Sequence, residues 1–338
     1  MSDRPGRRAK HSADVTDVPA SKDREPLPGA LRRWVESTVG AVEEVQPLSF
    51  SNNPVWLVRA GGSRYVAKHM RDTSSDAILE QRLLTALAGS SLFRPITAVH
   101  PLSGREAFVL APYLEGRSLD RALADGCCTP DHAERWAEEW AAVMAALASI
   151  PVRGYGRSPL DLQASWTTWS GFLHAYLAEQ REKGPQLAAE RHAQVAALLA
   201  AVADELDRAV PAPVLIPGDS NNRNFLVRHD GSLTCMNLPV MWQGDFAKPY
   251  GEAMVHGDQT LLAERVRERA AAAGIDAWRL HFYAAYHAYV VLAYAERFAP
   301  EPLQAVAPWG RVRPLLEILD EHLDAAWRSF SDSSHGRV

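Results

Sequence analysis

The sequence predicts an α+β chain of two lobes, a small β-rich lobe followed by a large, mostly helical one. Two observations carry this. Between residues 48 and 70, runs of β-forming residues flank a glycine turn, which is the pattern of a hairpin. From Thr129 onward, apolar residues recur at helical spacing over most of the chain. A polar loop and a hairpin, Leu215 to Met236, interrupt that helical half.

In chain order, residues 1–27 are rich in Arg, Lys, Asp, Ser and Pro and have no apolar run, so they read as a disordered tail and not as a secretory signal. Leu31–Val45 predicts a short helix with Leu31, Trp34, Val35 and Val42 on one side. Leu48 to Asn53 is expected to be a polar loop, Val55–Val58 a strand, Ala60–Ser63 a turn and Tyr65–Lys68 a second strand. Asp76–Ala88 has leucines at helical spacing, and Phe108–Leu114 is a further apolar strand. A linker near residues 114–118 then divides the chain into 28–113 and 114–332.

Thr129-Pro130 forms an N-cap followed by Pro at the first helical position. The helix it opens carries Trp136, Trp140, Val143, Met144 and Leu147 on one face. Helices are also expected over 166–181, 190–208, 260–273, 277–298 and 312–330. No repeats occur.

Composition narrows the functional classes. With 47% hydrophobic and 23% charged residues the chain has the make-up of a globular protein. A net charge of -5 argues against a general nucleic-acid partner. No apolar stretch is long enough to span a membrane, and a cytoplasmic location is expected. The three cysteines are too few and too poorly spaced for a disulfide framework or a zinc site.

The chemistry concentrates in Leu215-Ile-Pro-Gly-Asp-Ser-Asn-Asn-Arg-Asn-Phe-Leu-Val227. Asp219 precedes Asn224 by five residues, between apolar runs. A loop carboxylate can accept the proton of an attacking hydroxyl, and an amide one turn later can hold a metal that bridges nucleotide phosphates. Asn237 stands thirteen residues past Asn224, where a second metal-binding carboxylate would be expected. Lys68, at the end of a strand, can meet phosphates as a point charge, and Glu80 on the following helix can hold it in place. The segment 49–53 sits where a phosphate-covering loop would lie, but it contains no glycine, so side chains such as Ser51 and Asn52 would have to do that work. His281 and His287, on an aromatic helix, read as core or groove-lining histidines and not as metal ligands. The ten tryptophans read mainly as packing.

These parts, in this order, resemble the aminoglycoside phosphotransferase and fructosamine kinase group, relatives of the protein kinases. Their catalytic loop, His-Gly-Asp followed five residues after the Asp by Asn, is similar to Pro217-Gly218-Asp219 and Asn224. The hairpin turn at Asp230-Gly231, the Ala111–Leu119 linker and the Gly244–Glu252 segment also fall in place, so the resemblance covers about 45–330. It implies a two-lobed, protein-kinase-like fold and a kinase that binds ATP (or GTP) and Mg²⁺. By the same resemblance Asp219 would be the catalytic base, Lys68 would bind phosphate with Glu80, Ser51, Asn52 and Tyr113 nearby, and Asn224 and Asn237 would be the metal ligands.

The family acts on hydroxyls of aminoglycosides, amino sugars, glycated amines, choline-like alcohols and homoserine, and some relatives act on Ser or Thr of natural-product peptides. Two positions depart from the pattern: Pro217 replaces a histidine and Asn237 replaces an aspartate. A neutral amide holds a hard cation poorly. Three outcomes stay open: a slow enzyme, a carboxylate supplied by Asp245 or Glu252, or a pseudoenzyme that binds a peptide or a partner enzyme without transferring phosphate.

Overall fold

The computed structural model describes residues 26–49, 53–71, 74–87, 89–102, 105–183, 188–238, 240–298 and 313–335. The expected tail, the Ser51 and Asn52 positions and the start of the last predicted helix therefore lie mostly or wholly outside the described residues.

The chain opens with α1 (Gly29–Val39), shorter than the predicted Leu31–Val45. Gly40, at φ 104°, ends it, and its amide donates to the Glu36 carbonyl at 3.2 Å. That conformation is open to glycine at little cost. Beyond it the chain is extended: β1 (Val42–Ser49), missed in the sequence and overlapping the expected polar loop, pairs with β2 (Val55–Ala60). β3 (Ser63–Met70) and α2 (Ser74–Ala86) follow, then β4 (Ala98–Pro101) and β5 (Ala107–Pro112). The five strands form one antiparallel sheet in the order β1-β2-β3-β5-β4, with Lys68 opposite Val55 on one side and Val109 on the other. Leu31 and Val35 of α1 pack with Trp56, Val58 and Leu110 as the core of this lobe.

The linker is itself structured. β6 (Gly116–Ser118) pairs with the hairpin of the large lobe, and α3 (Leu119–Ala124) follows it. α4 (Pro130–Ala148) starts at the predicted cap, where Thr129 Oγ1 accepts the His132 amide at 3.2 Å. After it come β7 (Gly156–Arg157), α5 (Trp169–Lys183), α6 (Ala188–Ala209) and β8 (Val214–Pro217). β9 (Phe225–Arg228) and β10 (Leu233–Cys235) make the expected hairpin, and β11 (Met241–Gly244) pairs antiparallel to both β7 and β8. α7 (Ala247–His256), α8 (Leu261–Ala272), α9 (Ala277–Phe298) and α10 (Leu315–His335) complete the lobe.

Its core centres on α9, whose Phe282, Tyr283, Tyr286 and Tyr289 are almost wholly buried. Trp136, Trp140 and Trp169 are buried with them, as their helical spacing implied. No described helix is long and apolar enough to cross a membrane. All three cysteines are free thiols.

Candidate active site

Two buried strands aim the catalytic loop. β8 pairs with β11, Pro217 opposite Met241, and the Gly218 amide donates to the Val240 carbonyl at 2.7 Å. A Cβ at Gly218 would sit 2.4 Å from the Val240 oxygen and 2.7 Å from Trp242 Nε1, so only glycine allows this approach. Asp219 emerges next, and its Oδ1 accepts the Asn221 amide at 3.0 Å, an Asx turn that fixes the carboxylate against its own loop. Asn224 closes a single 3₁₀ turn, and its Nδ2 donates to the Asp219 carbonyl at 3.1 Å. The acid and the amide are thereby tied into one unit.

Asp219 lies in a cleft of about 750 Å³, bounded by Tyr176, Trp242, Tyr286 and Tyr294, with Asp76, Arg105 and Arg157 also at its walls. Its side chain is 48% exposed into that cleft. Desolvation by the surrounding protein pushes its carboxyl above the ordinary value. The His287 ring, the Asn221 amide and Lys248 act against this, and the charge of Glu252 adds to it.

Behind Asp219 is a buried network. Lys248 Nζ bonds to Glu252 Oε1, donates to the Gly218 carbonyl at 3.3 Å and stands 4.1 Å from the Trp242 ring centroid. Glu252 Oε2 accepts the Ser220 amide at 3.0 Å, and its Oε1 lies 3.2 Å from His287 Nδ1. Burial alone would raise the Glu252 carboxyl, but Lys248 and His287 outweigh it and bring it from 4.5 to about 2. The network buttresses the loop just past Pro217, at the Gly218 carbonyl and the Ser220 amide.

From the small lobe, Lys68 Nζ reaches Asn237 Oδ1 at 3.5 Å, and Asn237 Nδ2 donates to Asn224 Oδ1 at 3.2 Å. A polar chain thus runs from the first lobe to the catalytic loop. Glu80 lies beside it, but its Oε1 accepts the Leu238 amide at 2.6 Å and does not close on Lys68 directly. Burial lowers the Lys68 pKa, Glu80 partly restores it, and Arg94 adds to the lowering. Tyr113 follows β5, with its amide donating to the Arg64 carbonyl at 3.0 Å and its ring 4.9 Å from the Arg64 guanidinium carbon.

Of the residues expected to hold a metal, Asn224 and Asn237 sit side by side. Asp245 is held by Arg279 at 2.5 and 3.2 Å, by the Tyr283 hydroxyl at 2.7 Å and by the Ala247 amide at 2.9 Å. Glu252 is bound into the network described above. Both carboxylates are therefore committed elsewhere, and neither joins the Asn224–Asn237 pair. The donor set fits a magnesium ion only through the neutral oxygens of Asn224 and Asn237, which leaves most of its coordination to phosphate and water.

Lys68, Glu80, Asp219, Asn224 and Asn237 thus converge, although they come from distant parts of the sequence. Lys248, Trp242, His256 and Arg94 were not anticipated. One signal was present: Lys248, Glu252 and His256 recur at i, i+4 and i+8, which puts all three on one face of a helix.

A small antiparallel lobe joined to a helical lobe, with an acid-amide loop that meets the segment after the linker through Arg223 and Asp120, defines a protein-kinase-like fold. Residues 44–236, more than half of the chain, match the phosphotransferase enzyme family. The chain belongs to that family and is a kinase whose acceptor is a hydroxyl group. Among solved structures, it is similar to aminoglycoside phosphotransferase APH(4)-Ia bound to ADP and hygromycin B, at 14% identity and TM-score 0.67 over 89% of this chain and 98% of that one. A putative fructosamine-3-kinase from Haemophilus somnus matches at 15% identity and TM-score 0.56, over 87% of this chain and 95% of that one. Choline kinase LicA from Streptococcus pneumoniae matches at 11% identity and TM-score 0.60, over 88% and 98%. At these identities the likeness is one of fold. No curated protein matches the sequence.

Proposed function

We propose that this protein transfers the γ-phosphate of ATP or GTP to a hydroxyl of a small molecule held in the 750 Å³ cleft. The observation that carries the reading is the position of Asp219, in the wall of that cleft and joined through Asn224 and Asn237 to Lys68. In this reading Asp219 accepts the proton of the attacking hydroxyl. Its raised pKa brings it closer to the working pH, which suits a general base. Lys68 binds phosphate oxygens, and Glu80 orders the segment that carries Asn237 through the Leu238 amide. Asn224 and Asn237 would hold a magnesium ion through their amide oxygens, and the ion would supply charge neutralisation at the phosphates. The aromatic walls orient the acceptor and exclude water.

Solved structures with this fold include complexes with ADP, AMP-PNP and GDP, and three of them also hold hygromycin B. Those ligands support nucleotide use and a small hydroxylated acceptor here. The acceptors to compare are amino sugars and aminoglycosides on one side and Ser- or Thr-containing natural-product peptides on the other. The experiment is nucleotide turnover and phosphate incorporation across such a panel, with Asp219→Asn as the control. Transfer that survives Asp219→Asn, or no transfer to any acceptor despite nucleotide binding, would sink the reading.

A second reading, a binding protein without transfer, starts from the neutral Asn224–Asn237 pair, where the sequence resemblance leads one to expect a carboxylate at 237. A thermal shift with nucleotide and Mg²⁺ separates the two. Stabilisation that needs the metal supports the enzyme, and stabilisation by nucleotide alone supports the binder.

A further inference from the structure

The wall of the cleft holds a second constellation. His256 Nε2 lies 2.8 Å from His287 Nε2 and 3.8 Å from Asp219 Oδ1, and the ligand atoms of the three residues all lie within 4.8 Å of one another. Both histidines are buried, and all three residues line the same cleft. His287 Nδ1 faces Glu252 Oε1 at 3.2 Å, which places its proton there and turns the Nε2 lone pair toward the trio. A carboxylate behind a histidine, fixing its tautomer, is the outer-shell arrangement of metal-ligating histidines.

Charge and spacing agree with this. Asp219 and Glu252 bring two carboxylates and Lys248 one ammonium to the surroundings of the two imidazoles. A tetrahedral ion with bonds of about 2.0–2.1 Å separates its ligand atoms by about 3.3 Å. The observed 2.8 and 3.8 Å bracket that value for the two pairs that involve His256, and the third pair lies within 4.8 Å. Two imidazoles and one carboxylate suit a borderline cation such as Zn²⁺, in contrast to the all-oxygen set that Mg²⁺ takes.

We propose that His256, His287 and Asp219 form a binding site for Zn²⁺ or a similar borderline divalent cation, with Glu252 as its outer-shell partner. Its consequence for activity rests on the reading of Asp219 as the base: a bound ion occupies that carboxylate, so zinc inhibits transfer by competing with the acceptor and not with the nucleotide. The other histidine pair, His281 Nδ1 and His322 Nδ1 at 2.9 Å, has no third ligand beside it among the described residues and serves as a control.

The test is equilibrium dialysis of the full chain with Zn²⁺, and the visible spectrum with Co²⁺, in a Cys127→Ser/Cys128→Ser background that removes the thiols outside the core. One ion per chain is expected. His256→Gln and His287→Gln should weaken binding by more than the roughly 10–100-fold that even an outer-shell change costs. His281→Gln should leave it unchanged. Should a histidine variant fail to fold, Asp219→Asn at the open side of the site tests the same ligand set. Uptake unaltered in these variants, or uptake that follows His281, would overturn the site. Zinc that activates transfer, or competes with nucleotide, would overturn the inhibitory consequence. Thermal shift with ATP on the same proteins keeps the two proposals apart, since nucleotide binding can fail while zinc binding persists, and the reverse.

Discussion

Lys68 donates to Asn237 at 3.5 Å, a distance at the outer limit of a hydrogen bond, and the acceptor is an amide oxygen and not a carboxylate. The contact joins the lobes through a neutral group. Lys68 therefore meets no full negative charge at 237. In the proposed reading, Asn237 also leaves the metal position without a carboxylate.

Restoring that charge should therefore change metal use more than nucleotide use. Asn237→Asp is expected to tighten the apparent affinity for Mg²⁺ by at least about tenfold, because even outer-shell changes alter metal affinity by about 10–100-fold. The turnover rate should rise with it. Initial rates against Mg²⁺ at fixed nucleotide check this, and a variant whose magnesium dependence is unchanged would show that Asn237 is not near the metal.

Asp219 carries two linked expectations. As a general base it should contribute about 10²–10⁴-fold, so Asp219→Asn should lose that much in kcat/KM while keeping nucleotide binding. Because its carboxyl is raised by burial, the acidic limb of the pH–rate profile should lie above the ordinary carboxylate range. Stability should move the other way. A raised folded pKa favours the folded state most below the unfolded value, and that advantage is lost as pH rises through the folded value. Asp219→Asn should thus melt higher than the parent near neutral pH, with the gap closing in acid. Melting curves at both pH values decide it.

Lys248 and Glu252 form a buried pair in which each partner compensates the other. Removing one leaves an uncompensated charge, and such losses cost about 3–5 kcal/mol. Lys248→Met should destabilise the chain by about that amount in urea unfolding. Glu252 also sets an acid limit. Its carboxyl titrates at about 2 in the fold against 4.5 ordinarily, so its contribution is complete above 4.5 and is lost as pH falls from there through about 2. Glu252→Gln should remove that part of the acid dependence, visible as a flatter stability–pH curve over the same interval.

How far the sequence reveals this arrangement depends on the kind of signal. The order of Lys68, Glu80, Asp219, Asn224 and Asn237 is legible because each sits at a fixed offset from a strand or loop boundary. The helices from Pro130 onward are legible because Trp136, Trp140 and Val143 repeat at helical spacing over a buried face. Val42–Ser49 was hidden because its Glu43-Glu44 and Pro47 break the strand alternation, and only pairing with β2 recovers it. The cleft is illegible for a different reason. Tyr176, Trp242 and Tyr286 come from α5, β11 and α9, and on each element an aromatic that lines a cavity leaves the same pattern as one that fills a core.

The last expectation concerns Gly218, which touches no substrate in the proposed reaction. Its backbone lies against Val240 and Trp242 so closely that a methyl group would overlap both, the nearest contact being backbone oxygen at 2.4 Å. The Val240 carbonyl is held by the Gly218 amide itself, so it cannot withdraw without breaking that bond. Relief must come from moving the loop, and Asp219 is the next residue. A displacement of about 1 Å at a reacting group can cost about 10²-fold in rate. Gly218→Ala should accordingly lower kcat by about that factor, whereas nucleotide binding at Lys68, which belongs to the other lobe, should be affected much less. Steady-state kinetics combined with a nucleotide-binding titration distinguishes this from general unfolding, which would abolish both.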